Sequence, residues 1–518
     1  MAEIHRDATL TPSKLELLPA WMSRQRWYAA KGSSPRLSKL WSWRLDDPAG
    51  EVGIETLLVV DAGGPEPVVY QVPLTYRGAP LAGREDALVG TMEHSVLGRR
   101  WVYDGPHDPV YAAQLAQLVM GRAEPQAGGK TDTPEPHVMG HPHPAWHDDV
   151  TITGSRVLTG EQSNTSIVYD AHLADGTPRP LICKVFRTLQ SGDNPDVVLQ
   201  AAIAAAGSPR VPTTLGSVSA QWPDPHHMAD GAGAGVARDG ARRPEPDEVG
   251  RLTGGEAPRA YGHLAFAQEF LPGVEDAWRV ALRALAEGTG FEAEARELGA
   301  ATAEVHATLA SALPTELATP EAVDQVIHSM EQRYVAATLE VPALVEHETR
   351  IRDVFAAARV AMWPDFQRIH GDFHLGQVLR APGRGWVLVD FEGEPLRPLR
   401  ERTRPDQPMR DIAGMLRSFD YAGGAREQPH GNAVPGSARA WVDACQTAFL
   451  DGYAAWSGSD PRPSAALLAA FQLDKALYEV VYEARNRPTW LSIPTSAITR
   501  LLAKPSLARI PASKEATS

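Results

Sequence analysis

Two acidic residues and one amide lie within residues 368–395 at spacings that would let them act together. Asp372 falls in a loop and is followed five residues later by Gln377, after which a short apolar strand ends at Asp390. Phosphoryl transfer from ATP needs an acceptor hydroxyl held in line and a phosphate charge neutralised by magnesium, which prefers oxygen ligands. We therefore predict that Asp372 orients the hydroxyl and accepts its proton. Gln377 and Asp390 are predicted to bind magnesium.

The complete pattern is more specific than any part of it. Protein kinases place a metal-binding asparagine five residues after the catalytic aspartate, and a metal-binding aspartate after the next hairpin. The spacing from Asp372 to Asp390 is of this kind. The alternative is a loop in which Asp372 caps a turn and His370 is a core histidine. For His374, a structural role is as well supported as a catalytic one.

Lys184 is the candidate ligand for the nucleotide phosphates. It lies in the apolar run 181–186, and a lysine in a buried strand needs a partner, which the phosphates of ATP would provide. Taken alone, Lys184 could equally be an edge-strand lysine. Upstream, the small polar turn at 158–167 could cover the triphosphate with backbone amides, or it could be a plain hairpin turn. The candidate residues in this turn are Ser163, Asn164 and Thr165.

The strand-like segment 264–271 precedes the helical half of the chain. In a kinase of two lobes this position is the hinge, where backbone groups would bond the edge of adenine. The candidates are Gln268, Glu269 and Leu271, with Asp276 bordering the ribose. The alternative is simply a buried strand.

The remaining elements suggest an order of strands first and helices later, which predicts an α+β chain. Residues 1–123 read as a small α+β cap, with strand-like runs at 55–61 and 67–76 and helical periodicity at 108–120. Residues 124–148 are rich in Pro, Gly and His and read as a flexible linker. Their histidines could form a metal-binding tract, although a solvated loop is the simpler interpretation.

A second sheet is predicted in residues 149–275, as the N-lobe of a kinase, with a disordered insertion at about 222–259. Residues 276–518 are predicted to form a helical C-lobe that carries the catalytic loop and the sugar site. Helical apolar spacing recurs there, as at 298–309 and 465–486.

Composition narrows the classes of function. The chain has 518 residues, which is too long for one hydrophobic core, and a net charge of −14, which disfavours nucleic-acid binding. Its two cysteines form no disulfide framework or metal-ligand pattern. No apolar run approaches the roughly 20 residues of a spanning helix, and the first residues do not read as a signal peptide. We expect a cytoplasmic protein without a membrane partner.

Seven motifs in this sequence are characteristic of a known family. They are RWY at 26–28 with Lys31-Gly32, GEQSNTS at 160–166, QEFLPG at 268–273, HGDFHLGQ at 370–377, DFEGEP at 390–395, RDIAGMLRSF at 410–419 and DKALYEVVYEARNRP at 474–488. Together they resemble the aminoglycoside-phosphotransferase-like kinases and, more closely, the actinobacterial maltokinases. The likeness spans most of the chain.

The resemblance implies a bilobal, protein-kinase-like fold with an N-terminal cap. It implies ATP and Mg²⁺ as cofactors, and transfer of phosphate to maltose to give maltose 1-phosphate for α-glucan (glycogen-like) synthesis. A maltose-producing trehalose synthase would be a partner, and the protein would be a monomer or weak dimer. The alternatives are a related kinase for another sugar, an amino sugar or an aminoglycoside, and a non-catalytic nucleotide-binding scaffold.

One departure concerns the partner of Lys184. The family usually has a glutamate after Asn-Pro-Asp in the N-lobe helix, and Val198 occupies that position here. We expect Asp193 or Asp196 to pair with the lysine instead.

The C-terminal helix offers candidates for binding the sugar. Tyr478, Tyr482 and Arg485 fall on one helix face with Asp474, and Lys475 begins an adjoining stripe. A solvated face with salt bridges is the alternative. The mixed charge of this face favours a neutral sugar over a cationic one. The resemblance assigns substrate contacts to His370, Glu392, Tyr421, Lys475, Glu479, Tyr482 and Arg485, and structural support of the loop to Arg410 and Asp411.

Overall fold

The structure, a computed structural model, divides the chain into two compact units. Unit 1 comprises residues 1–201 and 213–272, and unit 2 comprises residues 202–212 and 273–518. The predicted insertion at 222–259 lies largely outside the described residues, and the flanking strands end at Pro223 and begin at Arg259. The residues that the structure describes are 8–64, 66–129, 133–160, 163–225, 258–395, 397–427 and 437–503.

An antiparallel sheet forms the first part of unit 1, in the order β1-β5-β6-β4-β3-β2-β7, with β12 paired to β4. Its strands are β1 (Leu10–Thr11), β2 (Leu37–Leu45), β3 (Gly53–Asp61), β4 (Val68–Arg77), β5 (Leu88–His94), β6 (Gly98–Asp104), β7 (Gln126–Ala127) and β12 (Thr188–Leu189). Side chains alternate between the faces of a strand. Accordingly Ile54 and Leu58 enter one hydrophobic core, while Leu57 and Val59 enter another. Both faces of this sheet are therefore covered.

A second antiparallel sheet has the order β8-β13-β14-β11-β10-β9. Its strands are β8 (Val138–Pro142), β9 (Val150–Val157), β10 (Asn164–Leu173), β11 (Leu181–Phe186), β13 (Thr214–Pro223) and β14 (Arg259–Glu269). Three helices belong wholly or partly to unit 1: α1 (Lys14–Met22), α2 (Pro109–Val119) and α3 (Pro195–Ala205).

Residues 124–148, which were predicted to be a flexible linker, contain the short strand β8. It pairs with β13 over five residues, from Val138 to Pro142. Only Val138 of this edge strand is buried, so the sequence carries no alternating apolar signal. The histidines here have protein partners: His141 Nε2 lies 2.7 Å from Ser219 Oγ, and His143 Nε2 lies 3.1 Å from the carbonyl oxygen of Ala201. These contacts account for two of the histidines without a metal.

The two sheets of unit 1 share one hydrophobic core. Trp43 of the first sheet, Tyr111 and Leu115 of α2, and Ile167 and Phe266 of the second sheet belong to the same cluster of buried side chains. Helix α2 begins where Asp108 accepts a hydrogen bond from Val110 N and Pro109 occupies the first turn. The domain boundaries predicted at residues 123 and 149 both fall within unit 1. They remain a prediction.

A buried ion pair also joins the two sheets. Arg187, which is fully buried between β11 and β12, donates from NH2 to both oxygens of Asp104 at 2.8 and 2.6 Å. Burial alone would raise the pKa of Asp104, but Arg187 and His107 more than offset this and hold the pKa below its usual value. The strand that carries Lys184 is thereby fixed to the end of β6.

Unit 2 is mainly helical, as predicted for the region after Asp276. Its helices are α4 (Ala277–Glu287), α5 (Glu292–Ala312), α6 (Pro320–Glu340), α7 (Glu348–Arg359), α8 (Leu399–Arg402), α9 (Pro408–Glu427), α10 (Ser437–Ser457), α11 (Ala465–Asn486) and α12 (Ser492–Ala503). A hairpin of β15 (Val378–Ala381) and β16 (Gly385–Leu388) interrupts them. Within the described ranges, no helix is both long enough and apolar enough to span a membrane.

Helices α5 and α10 approach each other at two glycines. A Cβ on Gly299 would lie 2.0 Å from the carbonyl oxygen of Phe449, and one on Gly452 would lie 1.9 Å from that of Arg296. Only a residue without a side chain fits at these crossings. Helix α11 lies among α6, α7, α9 and α12, so its many buried residues form the centre of this unit.

The ion pair of unit 1 gives a test of how the two sheets are held together. Replacing Asp104 with Ala leaves the buried guanidinium of Arg187 without its carboxylate, so the free energy of unfolding should fall by about 3–5 kcal/mol. Chemical denaturation of the full chain measures this. The control is Glu93→Ala, which breaks an exposed pair with Arg99 and should cost less than about 1 kcal/mol. Equal effects of the two substitutions would contradict this role of Asp104.

Candidate functional site

The loop that carries Asp372 is fixed by one buried carboxylate of α9. Asp411, which is 1% exposed, accepts the backbone N–H of His370 at 2.8 Å and that of Gly371 at 2.9 Å. Its Oδ2 also lies 3.0 Å from Nε2 of His306 on α5. Gly371 has a φ of +84°, which an L side chain rarely adopts. Asp411 thus has the supporting role expected from the sequence.

The carboxylate of Asp372 pairs with Lys475 on α11. Nζ of Lys475 lies 2.9 Å from Oδ1 of Asp372 and 2.9 Å from Oε1 of Glu394. Burial alone would lower the pKa of Lys475, but the two carboxylates more than offset this and raise the pKa above its ordinary value. Burial likewise opposes ionisation of Glu394, yet Lys475 and Arg333 hold the pKa of Glu394 below its usual value. The lysine therefore stays charged beside Asp372.

Further buried charges continue from this pair. Arg333 of α6 lies 3.3 Å from Glu394 and 3.2 Å from Asp474 of α11. Arg410 of α9 donates to Asp474 at 2.8 Å and to Asp406 at 2.7 Å. Cations and carboxylates alternate along this chain, so each buried charge has partners of opposite sign. We call these residues the buried charge chain: Asp372, Lys475, Glu394, Arg333, Asp474, Arg410 and Asp406.

The predicted metal-binding residues lie together at the open end of the hairpin, with Gln377 before its first strand and Asp390 after its second. Gln377 Nε2 donates to Oδ2 of Asp390 at 2.9 Å. One carboxylate oxygen of Asp390 lies within 4.8 Å of one of Glu392. Two carboxylates and an amide oxygen are ligands of the kind that Mg²⁺ prefers. Among the described residues, Asp390 is the one non-glycine residue with positive φ, at 66°, and such strain concentrates at functional sites.

The histidines of the loop have structural contacts, which corrects the substrate role predicted for His370. His370 is 2% exposed, its Nε2 lies 3.0 Å from the carbonyl oxygen of Val389, and its ring packs against Phe391. His374 Nδ1 accepts the N–H of Gly376 at 3.1 Å. Burial lowers the pKa of His374, so this ring is neutral at pH 7.

In unit 1, Lys184 has an acidic partner. Its Nζ lies 2.8 Å from Oδ2 of Asp196 in the first turn of α3, and Asp196 is 1% exposed. Oδ1 of Asp196 accepts from Nε2 of Gln200 at 2.7 Å, one helical turn later. Asp196 is one of the two residues that were expected to pair with Lys184. It supplies the carboxylate in this chain, where Val198 stands at the position of the expected glutamate.

The three candidates in the turn between β9 and β10 differ in their surroundings. Ser163 is exposed and Asn164 is buried. Thr165 is also buried, and its Oγ1 accepts from Nε of Arg187 at 2.8 Å. The hydroxyl of Thr165 therefore serves the interior of unit 1, and the predicted phosphate contact of its backbone amide stays a prediction. Residues 161 and 162 of the GEQSNTS motif lie outside the described residues.

Two of the candidates around 264–276 have side-chain partners. The carboxylate of Glu269 accepts from Thr213 N at 3.2 Å and from Arg179 at 3.1 Å, and the contact of its backbone with adenine stays a prediction. Asp276 caps α4, because its Oδ1 accepts the N–H of Arg279 at 2.8 Å, and its ribose contact stays a prediction. Gln268 lies in β14, and its buried Oε1 has no hydrogen-bond partner among the described residues. Leu271 follows this strand and is half-buried.

Helix α11 brings a stripe of aromatic rings to Lys475. The ammonium of Lys475 lies 4.8 Å from the ring centre of Tyr478, whose ring lies nearly parallel to that of Tyr482 at 6.4 Å. Both tyrosines are half-buried. The stripe therefore runs along the helix from the residue that pairs with Asp372.

All three carboxylates of α11 are paired with arginines. Asp474 pairs with Arg410, Glu479 pairs with Arg417 at 2.6 Å, and Glu483 pairs with Arg487 at 2.7 Å. Glu479 is 8% exposed, and burial raises its pKa despite Arg417. Glu479 therefore has an internal ion pair, and the substrate contact predicted for it stays a prediction.

Tyr421 and Arg485 also differ from their predicted roles. Tyr421 donates its hydroxyl to Glu483 at 3.1 Å, and its ring stacks on Trp490 at 6.4 Å. Arg485 is 57% exposed and pairs with Glu340, so it does not join Lys475 near Asp372. Residues at i and i+10 of a helix differ by about 80° around the axis, which accounts for the separation of Arg485 from Lys475.

Three residues that contact Lys475, Tyr478 or Tyr421 were missed by the sequence. Glu394 belongs to the DFEGEP motif. The one sequence signal that could have identified it is the position of its carboxylate shortly after an apolar strand. Arg333 is one of many polar residues on α6, and its pairing depends on contacts distant in sequence. Trp490 follows α11 in a 3₁₀ turn, Pro488–Trp490.

The pairing of Lys475 has a consequence for stability that depends on pH. Replacing Lys475 with Met should lower the free energy of unfolding by about 3–5 kcal/mol at pH 7. The pKa of Glu394 is lower in the folded protein than in the unfolded chain, so its ionised carboxylate stabilises the fold at pH values above the unfolded-state pKa. This contribution is lost as the pH falls towards the folded-state pKa. The difference between wild type and variant should therefore narrow from pH 7 to pH 4, as denaturant titrations can show.

The control on the same helix is Arg485→Met, which removes an exposed pair and should change the stability by less than about 1 kcal/mol at either pH. A Lys475→Met effect as small as the control, or one that grows as pH falls, would contradict the assigned pairing with Glu394.

Comparisons with known proteins agree with this geometry. Residues 21–108 match the family model "Maltokinase N-terminal cap domain", and residues 240–467 match "Phosphotransferase enzyme family". A glucosamine kinase of Streptacidiphilus jiangxiensis is 32% identical over 273 residues, covering 48% of this chain and 62% of that protein. A glucosamine kinase of Mycolicibacterium smegmatis is 31% identical over 255 residues, covering 45% of this chain and 61% of that protein. The alignments thus span less than two thirds of these relatives.

Solved structures show the fold. A crystal structure of glucosamine kinase (crystal form B) superposes with a TM-score of 0.62 at 22% identity, covering 95% of this chain and 100% of that chain. Glucosamine kinase in complex with glucosamine, ADP and inorganic phosphate gives a TM-score of 0.59 at 23% identity, again over 95% of this chain and 100% of that chain. The predicted fold class, α+β and protein-kinase-like with an N-terminal cap, is confirmed. Two segments of the chain therefore resemble known families: residues 240–467 are similar to the phosphotransferase enzyme family, and residues 21–108 are similar to the maltokinase N-terminal cap domain.

Proposed function

We propose that this protein transfers the γ-phosphate of ATP to a hydroxyl group of a sugar. The observation that carries the proposal is the fixed position of Asp372, whose backbone is held by Asp411 and whose carboxylate pairs with Lys475. The acceptor oxygen attacks the γ-phosphorus, the bond from that phosphorus to the β,γ-bridging oxygen breaks, and ADP leaves. Asp372 orients the hydroxyl and takes its proton.

Magnesium would be held by Asp390 with Gln377 and Glu392. When bound, it neutralises phosphate charge. The two carboxylates and the amide that lie together in unit 2 fit such an ion.

Contacts to the nucleotide are proposed for unit 1. Lys184 is the candidate for the phosphates, since its ammonium is kept in place by Asp196, which Gln200 holds in turn. Ser163 and Asn164 are candidates beside it, and Gln268 and Leu271 are candidates for the adenine. The glucosamine kinase structure with ADP supports the use of ATP by a chain of this fold.

Maltose is the acceptor that we propose. All three carboxylates of α11 are matched by arginines, which favours a neutral sugar over a cationic one. The stripe from Lys475 to Tyr482 extends about 10 Å along the helix, which offers aromatic surface beyond a single ring. The match to a maltokinase cap at residues 21–108 supports the same acceptor. The product, maltose 1-phosphate, would feed α-glucan synthesis, with a maltose-producing trehalose synthase as a partner.

Glucosamine is a second candidate, favoured by one observation: both curated relatives described above are glucosamine kinases. The ammonium group of glucosamine would need a carboxylate oxygen that can accept a further hydrogen bond. Arg417 donates twice to one oxygen of Glu479, Oε2, at 3.0 and 2.6 Å, so the other oxygen of this carboxylate would be the place to look.

The test of the proposed function is ATP turnover with magnesium across maltose, glucose, glucosamine and an aminoglycoside. Turnover with maltose should exceed that with the others, and Asp372→Asn should reduce kcat by roughly 10²–10⁴-fold because the proton acceptor is lost. Turnover with glucosamine alone would replace maltose and keep the mechanism. Absence of turnover that depends on Asp372, with every acceptor, would favour a nucleotide-binding scaffold.

The aromatic stripe gives a separate prediction about the length of the acceptor. Tyr482→Ala should raise KM for maltose by about two- to tenfold, since stacking contacts are worth about 0.5–1.5 kcal/mol. KM for glucose should change little, because one ring placed at Asp372 would not extend to residue 482. Steady-state kinetics with both sugars measures this. Arg485→Ala, three residues further and facing Glu340, is the matched control, and equal KM changes for both sugars would contradict the assignment.

A further inference from the structure

Strand β14 carries a histidine that has no part in the proposed chemistry. His263 is half-buried near the middle of this strand and is paired in register with Ser219 on β13. Its Nδ1 accepts the backbone N–H of Asn194 at 3.1 Å. A ring nitrogen accepts a hydrogen bond only when it carries no proton, so this contact requires the neutral imidazole with its proton on Nε2.

Asn194 is the residue at which helix α3 begins. Its carbonyl oxygen accepts the N–H of Val198 at 3.1 Å, and its side-chain Oδ1 accepts the N–H of Asp196 at 2.9 Å. These are the two hydrogen bonds that define an N-cap residue. The bond from Asn194 N to His263 therefore fixes the cap of α3 to β14.

A second contact to β14 lies two residues earlier in the chain. Gly192 N donates to the carbonyl oxygen of Tyr261 at 2.7 Å, and Gly192 forms a bridge with Gly262. A Cβ on Gly262 would lie 2.9 Å from the carbonyl oxygen of Gln190, so the chain comes this close to the strand because residue 262 has no side chain. The segment before α3 thus runs along β14 as far as the bond to His263.

The first turn of α3 holds the acidic partner of Lys184. Asp196 lies two residues after Asn194, and its Oδ2 lies 2.8 Å from Nζ of Lys184. A shift of the helix start would therefore move the carboxylate that keeps this ammonium in place. Two residues, Asn194 and Asp196, connect the ring of His263 to the lysine.

We propose that His263 is a positioning residue for Lys184, because its Nδ1 holds the start of α3 where Asp196 can pair with the lysine. The inference rests on the proposed function and deepens it, since Lys184 is the residue proposed there to contact the phosphates of ATP. His263 acts through Asn194 and Asp196. The apparent affinity for a nucleotide that needs this arrangement is proportional to the fraction of molecules that have it.

Protonation of the ring would remove the contact. An imidazolium donates from both nitrogens, so Nδ1–H would face the N–H of Asn194. Burial lowers the pKa of His263, the exposed carboxylate of Asp193 opposes this effect, and His141 on β8 adds to it. Tyr261 also faces the ring, with 5.9 Å between the ring centres. The contact therefore holds the helix start at pH 7 and is lost as the pH falls through the lowered pKa of this ring.

Two substitutions of His263 separate the loss of the acceptor from the loss of the ring. His263→Leu removes Nδ1, so ATP with magnesium should bind about two- to tenfold more weakly at pH 7.5, which is the effect of one hydrogen bond. His263→Asn places an amide oxygen, which does not titrate, near the position of Nδ1 and should retain most of the affinity. Adenosine should bind equally to all three proteins, because it has no phosphates for Lys184 to contact. Titration calorimetry of the full chain measures both ligands.

The matched control is His172→Leu, since His172 is also half-buried in the second sheet but lies on β10, two strands away from β14. This variant should bind ATP as the wild type does. Between pH 7.5 and pH 5, the wild type should lose about two- to tenfold more affinity for ATP than His263→Asn loses. Because the phosphates of ATP titrate alike in both experiments, this difference belongs to His263. The pH comparison does not need the leucine variant, so it tests the inference even where that variant does not fold.

Three results would overturn the inference while the wild type still binds ATP. They are ATP binding by His263→Leu like that of the control, equal weakening in His263→Asn and His263→Leu, and the same response to pH in the wild type and His263→Asn. Equal losses of ATP and adenosine binding in His263→Leu would also overturn it, because a contact that merely stabilises the fold acts on both ligands. Wild-type protein that fails to bind ATP would instead overturn the proposed function, and this inference with it.

Discussion

The pairing of Lys475 with both Asp372 and Glu394 is the interaction on which the geometry of unit 2 depends. A buried ammonium is costly unless it has ionised partners, and a buried carboxylate is equally costly without a cation. Each member of the buried charge chain therefore requires the next. Since its members come from α6, α9, α11 and the segments around the hairpin, these elements must keep their relative positions for the charges to remain matched. The carboxylate of Asp372, which is held in this way, is oriented before any substrate arrives.

Unit 1 uses the same physical device in a different place. The ion pair of Arg187 with Asp104 is buried in a core to which both sheets contribute. Because Arg187 also holds Thr165 and follows the strand of Lys184, one guanidinium connects the cap to two of the predicted nucleotide-binding segments. A cap that shared no core with the second sheet could be removed without consequence for that sheet. The shared core argues that it cannot.

What the sequence could predict depends on how local each signal is. Asp372, Gln377 and Asp390 lie within one loop and hairpin, so their spacing alone indicated a common site. The strand β8 escaped prediction because an edge strand with one buried side chain has no periodicity, and its pairing partner lies about 80 residues away. The contact of Thr165 could not be predicted for a related reason: Arg187, which bonds its hydroxyl, follows the neighbouring strand and lies more than twenty residues away. Contacts between distant residues decide such cases, and spacing does not encode them.

Helix geometry explains how Lys184 keeps an acidic partner although Val198 replaces the usual glutamate. Positions 196 and 198 are separated by about 200° around the helix axis, so both cannot face the lysine. Asp196 and Gln200 are one turn apart, and both are buried, whereas Val198 is half-buried. The face of helix α3 that contains residues 196 and 200 is therefore the face that lies against Lys184. Gln200 restrains the shorter aspartate by binding its second oxygen. Restoring a glutamate at position 198 would place it on the wrong face, so the ion pair depends in this chain on the orientation of the helix and not on the position in the motif.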